Sequence, residues 1–223
     1  EANDEFGAEL CAGNFNGDVS PTGRPYEDLA IGGPGEDGDA GVVFHFYGSS
    51  TGITATGSGW FKQSSIGGTN VAFDRFGSAI AAGNLYGSAH DDLAAGAYGR
   101  DLAGAPGAGI VYLISGGASG LTSAGSLQYT ANDFDSAEDD GLFGYALAVG
   151  QFSADAYKSL AIGEIGRTIF GFVLAGRGLA THGSLGGLDW SASEVTELTQ
   201  DMAGSASEAN EYFGSALAAG DWD

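Results

Sequence analysis

The sequence predicts an all-β protein built from repeated four-stranded units. A nine-residue pattern occurs four times, as FGAELCAGN from Phe6, FGSAIAAGN from Phe76, FGYALAVGQ from Phe143 and FGSALAAGD from Phe213. The copies start 70, 67 and 70 residues apart, a regular spacing that is typical of tandem structural repeats. The chain contains 41 glycines, and they interrupt every stretch that could otherwise support a long helix.

Each unit contains three further short runs after the nine-residue pattern. In the first unit these runs are DLAIGGP from Asp28, AGVVFHFYG from Ala40 and TGITATGSGWFKQ from Thr51. They are rich in β-branched and aromatic residues, alternate in polarity in places, and are separated by glycine, which is the pattern of strands joined by turns. We therefore expect four strands in this unit.

The second and third units repeat this order. The second has DLAAGAY from Asp92, GAGIVYLISG from Gly107 and SGLTSAGSLQYT from Ser119; the third has SLAIGEI from Ser159, RTIFGFVLAG from Arg167 and, after an insertion, VTELTQD from Val195. Tandem four-stranded units of this size favour the blades of a β-propeller, and an array of sandwiches is the alternative. The expected blades are residues 6–75, 76–142 and 143–212, with the first strand of an incomplete fourth blade at 213–223.

The composition restricts the partners. The formal net charge is -22, with only seven lysines and arginines, so the surface repels nucleic acid and anionic lipid. Such a charge suits a solvated surface, a salty medium or metal-binding loops. No apolar run approaches the roughly 18 residues of a membrane-spanning helix, and we expect no direct membrane insertion.

The repeated motifs resemble the FG-GAP repeats of integrin α-subunit propellers and of many secreted bacterial proteins. The order FG…AAG(D/N), polar loop, DLA-containing strand, G.V-type strand and SGLT runs through essentially the whole chain. The resemblance implies an extracellular β-propeller in which the loop between the first two strands of a blade can hold calcium. It also implies a larger ring, of seven blades for example, so we expect missing blades or self-association to complete this one.

The first polar loop matches the family's calcium motif best. That motif runs Asp-x-(Asp/Asn)-x-Asp-Gly-x-x-Asp, and here Asn14, Asn16, Asp18 and Asp28 take the ligand positions. Oxygen ligands on alternate residues are what calcium requires. However, Val19 replaces the glycine and the loop is longer than the motif. A turn in which these side chains cap backbone amides without metal is the alternative.

The other loops carry fewer carboxylates. The second loop has Asn84, Tyr86, Ser88 and Asp92, and the third has Gln151, Ser153, Asp155 and Ser159 with Lys158 beside the closing position. We expect calcium to bind weakly in the second loop and not in the third. Asp221 and Asp223 take the first two ligand positions of a fourth loop, where the sequence given stops.

The sequence favours recognition over catalysis. His45, His90 and His182 have no partner at the spacing of a metal site or a catalytic triad, and the single Cys11 aligns with alanines, as a small strand residue would. We expect a non-catalytic adhesion module that binds a protein ligand. A carbohydrate-binding propeller or an accessory domain of a secreted enzyme is the alternative. The exposed rim of the module would contain Tyr98, Arg100, Asp101, Asp133, Asp135, Asp139 and Asp140. Trp60 and Trp190 are candidate sugar platforms, although packing is the alternative for both.

Overall fold

The computed structural model describes residues 3–154, 157–191 and 194–220. The protein is all-β, with three antiparallel sheets that follow one another along the chain. The first sheet contains β1 (Glu9–Gly13), β2 (Asp28–Gly33), β3 (Val42–Tyr47) and β4 (Thr54–Phe61). The second contains β5 (Ala79–Gly83), β6 (Asp92–Ala97), β7 (Ile110–Ser115) and β8 (Thr122–Tyr129).

The third sheet has the same order but a divided outer position. It contains β9 (Phe143–Gly150), β10 (Ser159–Glu164), β11 (Arg177–Ser184), β12 (Gly187–Asp189) and β13 (Val195–Leu198). Both β12 and β13 pair with β11, β12 at residues 182–184 and β13 at 178–181. The insertion between β11 and β13 therefore folds back as a small hairpin. The expected fourth strand of this unit forms in two pieces.

Within the described residues, helical structure is limited to short turns. Three 3-10 turns span Gln63–Ile66, Ala131–Asp133 and Gln200–Ala203, and Glu36–Asp39 forms a tight turn in which Asp37 and Gly38 have left-handed backbone angles, with φ of 55° and 69°. The three 3-10 turns follow the outermost strand of each sheet and begin the connection to the next unit.

The repeated Phe-Gly pair is a joint between successive units. The Phe76 amide donates to the Ala40 carbonyl over 3.1 Å, and the Phe143 amide donates to the Ala108 carbonyl over 2.8 Å. Both phenylalanine side chains are fully buried. The backbone passes so close to the preceding sheet that a Cβ added to Gly41 would collide with the Phe76 carbonyl oxygen. The motif therefore recurs because each unit docks its first strand on the unit before it.

The glycine of the same pair has a conformational reason. Gly77 and Gly144 both have φ near +86°, in the left-handed region that side-chain-bearing residues avoid. The Gly77 amide then donates to the Gly96 carbonyl of the same sheet over 2.9 Å. A glycine here lets the chain turn from the preceding sheet into its own.

The second sheet packs on both of its faces. One buried cluster joins Val43 of the first sheet to Leu93, Ile110 and Tyr112 of the second. The other joins residues on the opposite face of the second sheet to the third, and it includes Ala94, Val111, Leu113, Leu160, Ile162 and Leu179. The first strands of successive sheets also contact each other, β1 with β5 and β5 with β9. The three sheets are thus stacked face to face, with the second in the middle.

Residues 213–220 do not form the strand expected to open a fourth unit. Phe213 makes one parallel bridge to Gly176, and its amide donates to the Ala175 carbonyl over 2.9 Å. The joint is therefore present, but residues 214–220 pair with no strand. In each of the three sheets the innermost strand pairs with the strand that follows it, and this segment has no such partner among the described residues. The boundaries at 75, 142 and 212 remain predictions.

Candidate calcium loops and rim

The first candidate loop is closed by a buried carboxylate that binds backbone amides. Asp28 is 1% exposed. Its Oδ2 accepts from the Phe15 amide and its Oδ1 from the Gly48 amide, both over 2.8 Å. These bonds tie the start of the loop to the end of β3. Burial is the largest cause that raises the pKa of Asp28, and the amide bonds act in the opposite direction.

The remaining ligand positions of this loop face one another. The Asp18 amide donates to Asn16 Oδ1 over 2.9 Å, and Asn14 Nδ2 donates to the Asp18 carbonyl over 3.1 Å. These bonds direct the amide nitrogen of Asn14 toward the backbone. Asn14 Oδ1 and Asp18 Oδ1 are both inaccessible to solvent and have no hydrogen-bond partner. Two acceptors are therefore left unsatisfied in a loop that also contains the Asp28 carboxylate.

The second candidate loop has the same frame with less charge. Asp92 is fully buried, and its Oδ2 accepts from the Leu85 and Tyr86 amides, each over 2.8 Å. Its Oδ1 accepts from the Gly116 amide over 3.0 Å. Asn84 Nδ2 donates to the Ser88 carbonyl, and Asn84 Oδ1 has no partner. Burial again is the first cause that raises the pKa of the closing aspartate.

The third loop replaces the closing aspartate with a hydroxyl. Ser159 is fully buried and its Oγ has no hydrogen-bond partner. Gln151 Nε2 donates to the Ser153 and Tyr157 carbonyls, each over 3.0 Å. Asp155, Asp221 and Asp223 lie outside the described residues, so the third and fourth candidate loops are described only in part.

The first two loops each contact a charged residue of the following sheet, and the sequence did not reveal these contacts. Asp91 precedes β6, and its Oδ2 accepts from the Asn14 amide over 2.9 Å. The Asp91 amide in turn donates to the Asn14 carbonyl over 3.0 Å. The equivalent residue before β10 is Lys158, whose amide donates to the Asn84 carbonyl over 3.0 Å. A carboxylate therefore contacts the first loop, whereas the corresponding residue at the second loop is an exposed lysine that contacts it through its backbone.

The predicted rim residues of the second unit are engaged within the protein. Arg100 Nη1 donates to Asp74 Oδ2 over 2.8 Å and to the Thr69 carbonyl over 3.0 Å. Asp101 Oδ1 accepts from the Gly107 amide over 2.8 Å. The Tyr98 ring packs against Tyr145, with the ring centroids 5.1 Å apart.

The four predicted rim aspartates of the acidic segment before the third sheet have different environments. Asp133 Oδ2 accepts from the Thr130 amide over 2.7 Å and caps the short 3-10 turn. Asp140 has φ of +51°, and its amide donates to the Pro106 carbonyl over 2.7 Å. Asp139 is exposed. Asp135 instead forms ion pairs with two arginines, Arg167 and Arg177.

Asp135 lies at the exposed edge of a charge network whose centre is buried and that the sequence interpretation missed. Arg177 is 1% exposed, and its Nε donates to Oε2 of the fully buried Glu164 over 2.6 Å. Arg177 also pairs with Asp135 over 2.9 Å and Glu197 over 3.0 Å. Arginine contacts lower the pKa of Asp135 against an opposing effect of burial, whereas burial raises that of Glu164.

The signal for this network was present in the repeat alignment. Glu164 and Arg177 are cross-strand partners at the positions where the second sheet pairs Ala97 with Ile110. A charged pair had replaced an apolar pair, although no short motif marks it.

Trp190 packs within the fold, Trp60 is exposed, and Cys11 is a half-buried strand residue. Trp190 lies against the rings of Tyr129 and Phe143, with centroid distances of 5.7 and 6.2 Å. Trp60 is 55% exposed, and the Lys62 ammonium lies 5.2 Å from its ring centroid. Cys11 is a half-buried residue of β1, and burial raises the pKa of its thiol to about 12.

Neither a protein-family model nor a curated protein matches this chain. Within the described residues, no group of three or more histidines, cysteines, aspartates or glutamates is arranged to hold a metal ion. No helix in the described part of the chain is long and apolar enough to cross a membrane. The likeness to FG-GAP repeats thus rests on the motifs.

Proposed function

We propose that this chain is part of an FG-GAP-type β-propeller that acts as a calcium-supported, non-catalytic recognition module outside the cell. The face-to-face stack of three four-stranded sheets, joined each time by the Phe-Gly pair, supports the propeller arrangement. The high negative charge suits a medium rich in cations. A protein or a glycan is the proposed ligand class, and missing blades or further copies of the chain complete the ring.

The first polar loop is the proposed calcium site. The observation that carries it is the pair of solvent-inaccessible, unpartnered oxygens of Asn14 and Asp18 in a loop closed by Asp28. Unsatisfied buried acceptors are costly unless a cation, water or donor meets them. Asn16 Oδ1 already accepts an amide, so it contributes less. Backbone carbonyls and water would complete the six to eight oxygens that calcium takes.

The neighbouring sheet sets the order of affinity among the loops. Asp91 places a carboxylate on the first loop, whereas the corresponding residue at the second loop is Lys158, a cationic residue whose backbone contacts the loop. Opposite charge nearby favours a bound cation and like charge disfavours it. The second loop, with Asn84, Ser88 and Asp92, therefore binds calcium more weakly than the first.

The test gives the first loop the serine that the second loop has at the equivalent position, and it uses a substitution of that serine in the second loop as the control. At calcium about one hundred times the dissociation constant, binding stabilises the folded chain by about 2.7 kcal/mol, which is a melting-temperature rise of roughly 5–10 °C at this chain length. Asp18→Ser should abolish most of the rise, whereas Ser88→Ala should leave it unchanged. Thermal unfolding with and without calcium, together with calorimetry, measures both. A wild-type chain that neither binds calcium nor changes its melting temperature would refute the calcium site.

A carbohydrate-binding propeller is the second candidate function. The platforms first considered do not favour it, because Trp190 is packed within the fold and Trp60 lies on an outer strand. A different feature favours this function. It is a polar cavity beside the first strands of the three sheets, and two tyrosines line it.

A further inference from the structure

The innermost strands enclose a cavity that the proposed calcium loops do not use. Its volume is about 420 Å³, within the range of roughly 300–1,000 Å³ that small-molecule sites occupy. The residues just after each of the four Phe-Gly pairs contribute to its wall. They are Ala8 and Glu9, Ser78 to Ile80, Tyr145 to Leu147, and Ser215 to Leu217.

Two wall positions depart from the repeat. The residue after Phe-Gly is Ala8, Ser78 or Ser215 in three units, but it is Tyr145 in the other. The next residue is alanine in three units and Glu9 in the first. A wall of small side chains leaves room for a ligand, and the two larger residues are specific to their units. Repeat packing therefore does not explain them.

Tyr145 is paired with a second tyrosine in the wall. The Tyr98 and Tyr145 rings lie 5.1 Å apart at an interplanar angle of 47°. Tyr145 is 37% exposed, so its ring is accessible from the cavity side of the sheets. Exposed tyrosine rings offer both an apolar face and a hydroxyl, which is why they recur in binding sites.

Arg75, the cation in the wall, is already paired with carboxylates. Its Nη1 donates to both oxygens of Glu5, over 3.2 and 2.9 Å, and its Nη2 lies 3.2 Å from Asp39. An anionic ligand would have to compete with these pairs. A neutral ligand would not, and it could still use the donors of Arg75 and the acceptors of Glu5 and Glu9 side by side.

We propose that this cavity binds a neutral mono- or disaccharide, with Tyr98 and Tyr145 as the stacking surface and Arg75, Glu5 and Glu9 as hydrogen-bond partners of its hydroxyl groups. Sugar hydroxyls both donate and accept, so they match a wall that presents a guanidinium next to carboxylates. The inference deepens the proposed recognition function, because it names one ligand class and one location.

The experiment uses saturation-transfer NMR with methyl glycosides of the common neutral hexoses and N-acetylhexosamines, followed by titration of those that bind. Tyr145→Ala and Tyr98→Ala should each weaken association about tenfold, the effect of losing a stacking ring. Trp60→Ala is the control, since it removes another exposed ring on an outer strand and should change nothing. Circular dichroism and an unchanged melting temperature without calcium would show that the variants keep the fold.

The Glu9→Gln variant separates a neutral ligand from a cationic one. A saccharide should keep binding within about threefold, because glutamine still accepts a hydrogen bond. An arginine-containing peptide is the probe for a cationic ligand. If the cavity takes such a ligand, the peptide should bind the wild-type chain and lose affinity in Glu9→Gln. The proposal is overturned if no glycoside binds, if binding survives the Tyr98 and Tyr145 substitutions together, or if the peptide binds and the glycosides do not. Calcium stabilisation is measured independently, so the cavity and the calcium site fail separately.

Discussion

The two joints between sheets solve the same packing problem with different chemistry. At the first joint, between sheets one and two, Gln63 donates to Asp74 over 2.9 Å and accepts from the Tyr112 hydroxyl over 2.9 Å. Arg100 supplies the only ion pair that Asp74 makes among the described residues. At the second joint, between sheets two and three, a buried Glu164–Arg177 pair is extended by Asp135.

Their common feature is an arginine that follows the second strand of the later sheet. Arg100 follows β6 and reaches back to Asp74, and Arg167 follows β10 and reaches back to Asp135. The second joint adds a fully buried cross-strand ion pair at positions that are apolar in sheet two. The Phe-Gly backbone joint is thus the constant element, while the side chains behind it vary from a glutamine beside one ion pair to a fully buried cross-strand ion pair.

The largest expected effect comes from removing one partner of the buried pair. Arg177→Ile copies the residue that sheet two has at this position, but it leaves the carboxylate of Glu164 buried without its partner. We expect a loss of about 3–5 kcal/mol in the free energy of unfolding, measured by urea denaturation.

A double variant tests whether the apolar pair of sheet two can replace the ion pair of sheet three. Glu164→Ala with Arg177→Ile reproduces the Ala97–Ile110 pair of sheet two and leaves no buried charge at those positions. Because apolar replacements of buried ion pairs are often neutral or stabilising, most of the lost stability should return. If the double variant is as unstable as Arg177→Ile, the two joints are not interchangeable.

A smaller loss is expected at the first joint. Gln63 is fully buried and bridges Asp74 and the Tyr112 hydroxyl. Gln63→Leu preserves the approximate volume but removes both hydrogen bonds and leaves buried polar groups unsatisfied, which costs about 1–3 kcal/mol. The same urea titration measures it. A loss as large as that of Arg177→Ile would show that the first joint is no less sensitive than the second.

The sequence predicted the repeat and the strands more fully than the joints. Alternating apolar runs and glycine turns are local signals, and they place strands such as β2 and β6 at DLA-containing segments. The Glu164–Arg177 pair depends on strand register, and Asp91 of the second sheet contacts the polar loop of the first sheet. Such contacts have no local pattern. Residues 214–220 carry a strand pattern without a pairing strand, so the pattern alone did not produce one.

Titration of Glu164 offers a third comparison of the joints. Burial raises the pKa of this carboxyl in the folded chain, so the folded state binds its proton more tightly than the unfolded state does. That contribution to stability is present below the ordinary glutamate pKa of about 4.3 and is lost as the pH rises through the higher folded value. The cost of Glu164→Gln should therefore be smaller at neutral pH than near pH 4.

Urea titrations of the wild-type and Glu164→Gln chains across this range measure the effect. A Glu164→Gln cost that stays constant, or grows, with rising pH would mean that the ion pair with Arg177 outweighs burial.

The smallest effect is expected where a joint is exposed. Arg75 precedes the Phe-Gly pair of sheet two and binds Glu5 and Asp39, but its side chain is 30% exposed and that of Glu5 is 44% exposed. The equivalent residue before sheet three is Leu142, so one unit already dispenses with the charge. Water screens exposed ion pairs, which contribute about 0–1 kcal/mol to stability and lose that contribution in salt.

Arg75→Leu should therefore lower the free energy of unfolding by less than about 1 kcal/mol at low salt, and the difference should vanish at high salt. Urea titrations at two sodium chloride concentrations measure both. A loss above about 2 kcal/mol that persists in salt would place Arg75 with the buried pair of the second joint, far beyond the value of an exposed one.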